Sequence, residues 1–380
     1  MPVLSGIDHA ESIHGLLSSG RLGLMTNQTG INRQFQSSID VLQKQYRLEA
    51  LFAVEHGIRG SIQAGENVTS DTDPASGLPV YSVYGGTHRL TEEMLDAFDI
   101  FCFDMQDVGA RFYTYLYALS LAMAECAKAG KPVVVFDRIN PLGGELIQGT
   151  VLDPRFSSYV GLYPLPTRYG LTIGEYARWV KAHLRLDSLE LTVVPLSGWH
   201  RGMLVRELDL PWVAPSPNCP SFHAARAYVG TCIFEGTNVS EGRGTTLPFE
   251  YIGAPWIDAD RLAALLAEKP LAGVFFRPCW FTPTFSKYAG EACAGVQLHI
   301  TEPLTADPVL AALTLLDAIR ELYPNRLQWI SQPDDSFTID KLLGTDTYRL
   351  GQHGAASLIA AHEEARLRFR KEREPYLLYE

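Results

Sequence analysis

Short apolar runs that stop abruptly at polar groups recur along the first half of the chain. Arg21–Asn27, Leu48–Val54 before Glu55-His56-Gly57, Pro79–Tyr84, Asp99–Asp104 before Met-Gln106-Asp107, Pro132–Arg138 and Leu191–Pro195 all read as buried strands. Between them lie segments of helical character. One occupies the first twenty or so residues, one runs from Ile39 to Tyr46, and one opens at the N-cap Thr91 with Glu92 and Glu93 in its first turn. Another covers Arg111–Ala129, closed by Gly130, and the capping box Thr172-Ile-Gly-Glu175 begins one that reaches Leu186. Strand and helix in alternation predict an α/β fold: a Rossmann-like, mostly parallel sheet covered on both faces. Its strand ends carry Asn27, Glu55, Asp104 and Asp137. Open sheets of this kind keep their chemistry at that edge.

The texture changes where Pro211, Pro215, Pro217 and Pro220 crowd around Trp212 and Asn218. We place a domain junction there, giving a Rossmann-like domain over 1–212 and a smaller α+β domain over 213–380. The latter shows a strand at Gly295–Ile300 and helices at Asp260–Glu268, Asp307–Leu322 and Ala355–Glu374. It ends in a tail, Pro375–Tyr379, that docks through its aromatics. Two stretches lack periodicity: the loop from Gly57 to Leu78 with Arg59, Glu66 and Asp71, and the Gly-rich segment 234–246 with Glu235, Asn238, Glu241 and Arg243. Long aperiodic loops in compact domains are usually functional.

Composition narrows the possible functions. With 46% hydrophobic and 20% charged residues in 380, the chain is an ordinary globular protein long enough for two domains. A formal charge of -11 without a Lys/Arg block argues against a nucleic-acid partner. No apolar run reaches the length of a membrane span, and no basic, apolar leader opens the sequence, so a soluble cytoplasmic protein with no membrane partner is expected. The six cysteines form no C-x-x-C pair and read as reduced packing thiols. Of the dinucleotide fingerprint only Gly30 follows the first strand, which disfavours a nicotinamide or flavin, and no cofactor is expected. Ligand spacings such as H-x-x-x-H are missing, so no metal site is assigned; a metal-assisted hydrolase using Asp104, Asp107 and His56 stands as an alternative. No G-x-S-x-G follows a strand.

Carboxylates are left as the catalytic groups. Glu55 closes a buried strand, where partial withdrawal from water suits a proton donor, and Glu235, Glu241 and Asp104 are open as its second carboxylate. Arg111 and Tyr113, just after Gly109, meet the strand ends at the expected helix start. Tyr115 and Tyr117 read as core, and Trp199, Trp212 and Trp256 are possible sugar platforms. A sugar-binding protein without turnover is a further alternative.

The runs Leu22–Gly30, Val54-Glu55-His56-Gly57-Ile-Arg59-Gly60, Ala64-Gly65-Glu66, Leu78–Gly85, Asp104-Met-Gln106-Asp107-Val-Gly109-Ala-Arg111-Phe-Tyr113-Thr-Tyr115, Asp137-Arg138-Ile-Asn140-Pro141, Pro215-Ser-Pro-Asn218 and Phe234–Thr245 resemble, in order, those of the NamZ-type exo-lytic β-N-acetylmuramidases. The resemblance covers nearly the whole chain. It implies a bacterial glycoside hydrolase that releases terminal N-acetylmuramic acid from the non-reducing end of peptidoglycan fragments of the MurNAc-GlcNAc type, at a site between two domains. It maps the catalytic carboxylate onto Glu55. The motifs place Asn27, His56, Arg59, Asp104, Gln106, Arg111, Tyr113, Asn140, Asn218, Asn238 and Arg243 among the substrate-binding candidates, with Arg59, Arg111 or Arg243 set to read the lactyl carboxylate. Many relatives begin with an export signal, and here none is seen; oligomeric state is left open.

Overall fold

The computed structural model describes residues 2–60, 71–85, 88–204, 208, 210–269 and 271–380. The Ala64-Gly65-Glu66 motif lies outside the described residues. Among the described residues twelve strands follow in chain order: β1 Leu22–Thr26, β2 Leu48–Ala53, β3 Asp71–Thr72, β4 Pro79–Ser82, β5 Ile100–Asp104, β6 Val133–Phe136, β7 Gln148–Val151, β8 Pro166–Arg168, β9 Leu191–Val194, β10 Tyr251–Ala254, β11 Val274–Phe281 and β12 Cys293–Ile300. Seven form one sheet in the order β3-β4-β2-β1-β5-β6-β9, parallel throughout except for the short edge strand β3. This is the Rossmann-like α/β sheet expected.

Both faces of the sheet are buried, which explains why its strands read as continuous apolar runs. Phe52, Phe101 and Phe103 pack on one side with the helices Tyr115–Lys128 and Ile173–His183. Leu24, Leu51, Cys102 and Phe136 pack on the other with Leu42 of the helix Ser38–Gln45 and Ile7 of the N-terminal segment. Each fully buried side chain of this kind is worth about 1.5–3 kcal/mol. The predicted caps form: Thr91 accepts from the Met94 amide, and Thr172 and Glu175 make a reciprocal capping box.

The later part of the chain builds a three-stranded antiparallel sheet, β10-β12-β11, with the helices Phe222–Thr231, Ala259–Ala267 and Pro308–Leu322 against it. Only β12 had a clear strand signal. Two predicted helices need correction. The one expected from Arg111 begins at Tyr115, because Ala110 bridges to Arg168 and the Arg111 amide donates to Thr167 O, which ties the start of this segment to β8, and a turn in which the Tyr113 amide donates to Ala110 O comes before the helix. The one expected over 355–374 is two, Ala355–Ala361 and Glu363–Arg373, broken at His362. There Nδ1 of His362 accepts from the Val151 amide at 3.2 Å, and burial pulls the imidazole down to about 4, so it stays a neutral acceptor.

The C-terminal segment returns to the first sheet. Arg373 donates to the carbonyls of Gly144, Tyr169 and Gly170, and Trp179 donates to Glu372 at 2.9 Å. Tyr379 donates to Asp137 at 2.5 Å, and the Arg201 amide reaches Glu380 O at 2.8 Å. The aromatic tail docks as its composition suggested. Among the described residues no helix is long and apolar enough to cross a membrane.

Candidate active site

Beyond Ala53 the chain turns sharply. His56 has φ +73° and Gly57 φ +72°, and the Gly57 amide donates back to Val54 O at 3.0 Å. Glycine adopts that conformation freely; for histidine it costs of order 1 kcal/mol, the kind of strain that collects at functional sites. The turn holds Glu55 at the sheet edge with both oxygens engaged: Tyr84 donates to Oε1 at 3.1 Å and Thr114 to Oε2 at 2.9 Å. A hydroxyl donates to a carboxylate and accepts from a carboxylic acid, so these partners serve either state of Glu55.

Glu55 and buried His56 open onto a pocket whose other walls are Tyr113, Thr114 and Tyr115 from the start of the long helix, Ser216 and Cys219 from the Pro-rich connection, and Tyr228, Arg243 and Phe249 from the later part of the chain. The space between these walls, with the open solvent at its mouth included, is about 460 Å³. The Tyr113 hydroxyl is buried and finds no hydrogen bond of ordinary geometry among the described residues, and burial pushes the phenol well above its usual range, so it stays a neutral donor. Tyr115 donates to Pro215 O at 2.6 Å and accepts from Asn27 at 2.8 Å, which ties the Pro-rich connection to the end of β1.

Across the pocket, Arg243 donates to Glu235 Oε1 at 2.6 Å, lies 3.4 Å from Glu241 Oε1 and sits over the Phe249 ring at 5.0 Å. Glu241 is almost fully buried and is met at 2.9 Å by Lys287. Glu235 is the more open carboxylate, its side chain 31% exposed. Burial raises its pKa, as does Glu241, against the pull of Arg243 and Lys287. Burial works against the Arg243 charge, but Glu235 and Glu241 outweigh it and keep the guanidinium charged.

The fold therefore gathers Glu55, His56, Tyr113 and Arg243 around one pocket and brings Glu235 and Glu241 in behind Arg243. The other candidates have structural employment. Asp104, expected at the strand ends as a second carboxylate, is fully buried and paired bidentately with Arg138, at 2.5 and 2.8 Å. Arg111, expected to bind substrate, is fully buried and donates to Thr150 O, Leu165 O and Leu342 O at 2.6–2.8 Å. Arg59 pairs with Asp73 at 2.7 Å. Asn27 supports the turn at Thr29, and Asn140 bonds Leu171 O and the Leu142 amide. Asn238 braces Arg326 O and the Gln328 amide, while Asn218 is buried outside the pocket lining. Gln106 lines a different crevice, as does Trp212. Trp199 packs on Tyr379 and Trp256 on Tyr323.

The metal-assisted alternative required Asp104, Asp107 and His56 to converge. Asp104 is held by Arg138, and Asp107 accepts from Tyr169 and the Gly109 amide. Among the described residues no three His, Cys, Asp or Glu side chains come together as a ligand set. Thr114, Ser216, Tyr228, Phe249 and Lys287 went unnoticed in the sequence. Thr114 and Ser216 lie within motifs that carry the family resemblance, and Lys287 carried no signal.

Comparison with known proteins matches both halves of this arrangement. Residues 22–223 match the family model described as exo-beta-N-acetylmuramidase NamZ, N-terminal, and residues 226–379 its C-terminal counterpart. The chain is 44% identical over 368 residues to the peptidoglycan beta-N-acetylmuramidase NamZ of Bacillus subtilis (strain 168), covering 96% of this chain and 88% of that protein. Two crystal structures of DUF1343 family proteins from Bacteroides fragilis NCTC 9343 superpose with TM-scores of 0.90 and 0.77, at 32% and 28% identity, each over 100% of this chain and 99% of the other.

Proposed function

Because the chain belongs to the NamZ family of exo-β-N-acetylmuramidases, we infer that it is a glycoside hydrolase that removes terminal, non-reducing N-acetylmuramic acid from peptidoglycan fragments of the MurNAc-GlcNAc type. The observation that carries this reading for the site is the pocket itself: a fixed carboxyl, Glu55, on one wall and a guanidinium, Arg243, on the other. Glycosidic cleavage needs an acid at the leaving oxygen and a second carboxylate to attack or to activate water. Glu55 takes the first role in this reading. Glu235 takes the second as the most open of the three carboxylates, its side chain 31% exposed where Glu241 and Asp104 are buried.

N-acetylmuramic acid differs from N-acetylglucosamine by a lactyl carboxylate. Arg243 is the arginine among the candidates that lines the pocket, and it supplies a charge-assisted contact there. No cofactor enters this scheme. The chain divides its labour near residue 212: segment 1–212 supplies Glu55 and its supports, and 213–380 the Arg243 cluster. We further propose a cytoplasmic role in cell-wall recycling; six unpaired, buried thiols support it.

A chromogenic β-N-acetylmuraminide tests the reading. Turnover that exceeds that of the matching β-N-acetylglucosaminide and persists in chelator is expected. No release from the muraminide defeats it, and loss in chelator points to the metal-assisted alternative.

A further inference from the structure

Glu55 is held by two hydroxyls of different kinds. Thr114 lines the pocket beside it and Tyr84 does not, so Oε2, which accepts from Thr114 at 2.9 Å, is the oxygen on the pocket side, and Oε1, which accepts from Tyr84 at 3.1 Å, is turned away from it. An alcohol gives and accepts hydrogen bonds about equally. A phenol oxygen shares a lone pair with its ring, which makes it the better donor and the poorer acceptor. Tyr84 therefore favours an unprotonated oxygen opposite it, whereas Thr114 suits a protonated one equally well.

Tyr84 is itself held by aromatic neighbours. The main chain just before it is tied to the end of β2, where the Val83 amide donates to Ala53 O at 2.9 Å. Its ring meets that of His88 edge to face, with centroids 5.5 Å apart, and His88 in turn stacks on Tyr159 at 3.8 Å with the planes only 14° apart. Tyr159 also lies 6.5 Å from Tyr84 and 6.3 Å from the fully buried Tyr117 of the long helix. It sits in a tight turn closed twice, from the Ser158 amide to Gly161 O and from the Gly161 amide to Ser158 O, each at 2.9 Å. Three separate stretches of chain thus converge on the far side of Glu55.

His88 is placed there at a cost. Its backbone is left-handed, with φ +54°, which L side chains seldom adopt, and its Nδ1 is buried and finds no hydrogen bond among the described residues. Burial holds the imidazole below its usual range, against the pull of Glu55 and of a backbone hydrogen bond at Val83, so the ring is neutral near pH 7. What the strain and the unpaired nitrogen secure is a flat, uncharged ring wedged between Tyr84 and Tyr159.

We propose that the His88–Tyr159 stack is a positioning device for the catalytic acid: it holds the Tyr84 hydroxyl on Oε1, so that the proton of Glu55 resides on Oε2 and faces the glycosidic oxygen. On cleavage that proton passes from Oε2 to the leaving oxygen, which keeps the electron pair of the broken C–O bond, and both hydroxyls are left donating to the carboxylate. The assignment rests on the glycosidase reading above, with Glu55 as the acid.

The test compares kcat and KM on the MurNAc-GlcNAc disaccharide with those on a muraminide whose activated phenol leaving group needs little protonation. Tyr84→Phe should lower kcat on the disaccharide about ten-fold, leave its KM unchanged and slow the aryl substrate by no more than about two-fold. His88→Asn removes the ring while suiting the left-handed backbone, and Tyr159→Leu removes its stacking partner. Both should show the same split, Tyr159→Phe should recover the wild-type rate, and the two ring-removing variants stand in for each other should one not fold. Adding His88→Asn to Tyr84→Phe should cost nothing further, because the stack acts through Tyr84. Equal losses on the two substrates, a loss confined to KM, or Tyr84→Phe at the wild-type rate overturns the role of Tyr84, and losses that multiply in the double variant overturn that of the stack. A wild-type enzyme that cleaves neither substrate overturns the glycosidase reading and this proposal with it.

Discussion

Lys287 meets Glu241 at 2.9 Å and gives its other two protons to the carbonyls of Phe234 at 2.8 Å and Val239 at 3.0 Å. With that ammonium in place Glu241 is neutralised from behind, and Arg243 is left to face Glu235 and the pocket.

Replacing Lys287 by Met should draw Arg243 toward Glu241. The expected loss in kcat/KM on the muraminide is ten-fold to a hundred-fold, about 1.4–2.7 kcal/mol, with partial recovery in Lys287→Arg. Arg243→Leu should cost about 1–3 kcal/mol on the muraminide and less on a glucosaminide. Arg59→Leu should leave that preference alone, since Arg59 is engaged with Asp73. Steady-state kinetics on the two substrates decide it; a preference untouched by Arg243→Leu means the lactyl group is read elsewhere.

Glu55→Gln keeps the partners Tyr84 and Thr114 but cannot supply a proton. Folding should survive while hydrolysis of the disaccharide falls steeply, and a substrate with an activated phenol leaving group should retain more of its rate because it needs little protonation. Equal losses on both would assign Glu55 as nucleophile or base and pass the acid role to Glu235.

Arg111→Met should damage stability rather than substrate handling. It strands three buried carbonyls, one of them on Leu342 near the end of the chain, so we expect a loss of about 3–5 kcal/mol in urea denaturation. A folded variant of unchanged stability would return Arg111 to the list of possible ligand-binding groups.

Burial pushes Asp137 up to about 7, against the hydrogen bonds of Tyr379, Gly174 and Thr172. A carboxyl whose folded value exceeds its unfolded value of about 3.9 contributes fully below about pH 4, and that contribution is lost as pH rises through about 7. Asparagine does not titrate there, and the hydroxyls of Thr172 and Tyr379 can turn to accept from it. Between about pH 5 and about pH 8, Asp137→Asn should therefore gain on the wild type by about 3 kcal/mol. A stability difference that stays flat across this range would mean that Asp137 is ionised in the folded protein throughout.

The parallel sheet was legible because strands buried on both faces leave uninterrupted apolar runs, as in Val133–Phe136 and Ile100–Asp104. β10 and β11 were not, since β11 alternates exposed Phe275, Arg277 and Trp280 with buried partners and contains Pro278, a pattern that blurs into loop. At the site, Glu55 and His56 stood out because a buried strand ended in them. Arg111 misled for a physical reason: an arginine next to a strand end looks the same in sequence whether it meets a ligand or three backbone carbonyls. The partner that distinguishes the two cases, Leu342, lies 231 residues away.

The return of the C-terminus to the first sheet bears on how the chain is made. Asp137, at the end of β6, receives a hydrogen bond from Tyr379, and Glu175, near the start of its helix, receives one from the Leu378 amide. Both are fully buried, and Tyr379 and the Leu378 amide complete hydrogen-bond sets that Thr172, Gly174 and Arg201 begin. The strands of the first sheet are made long before Leu378 and Tyr379, which lie 203 and 242 residues beyond Glu175 and Asp137, so these buried acids wait for the C-terminal segment to be made and to dock before the first half closes.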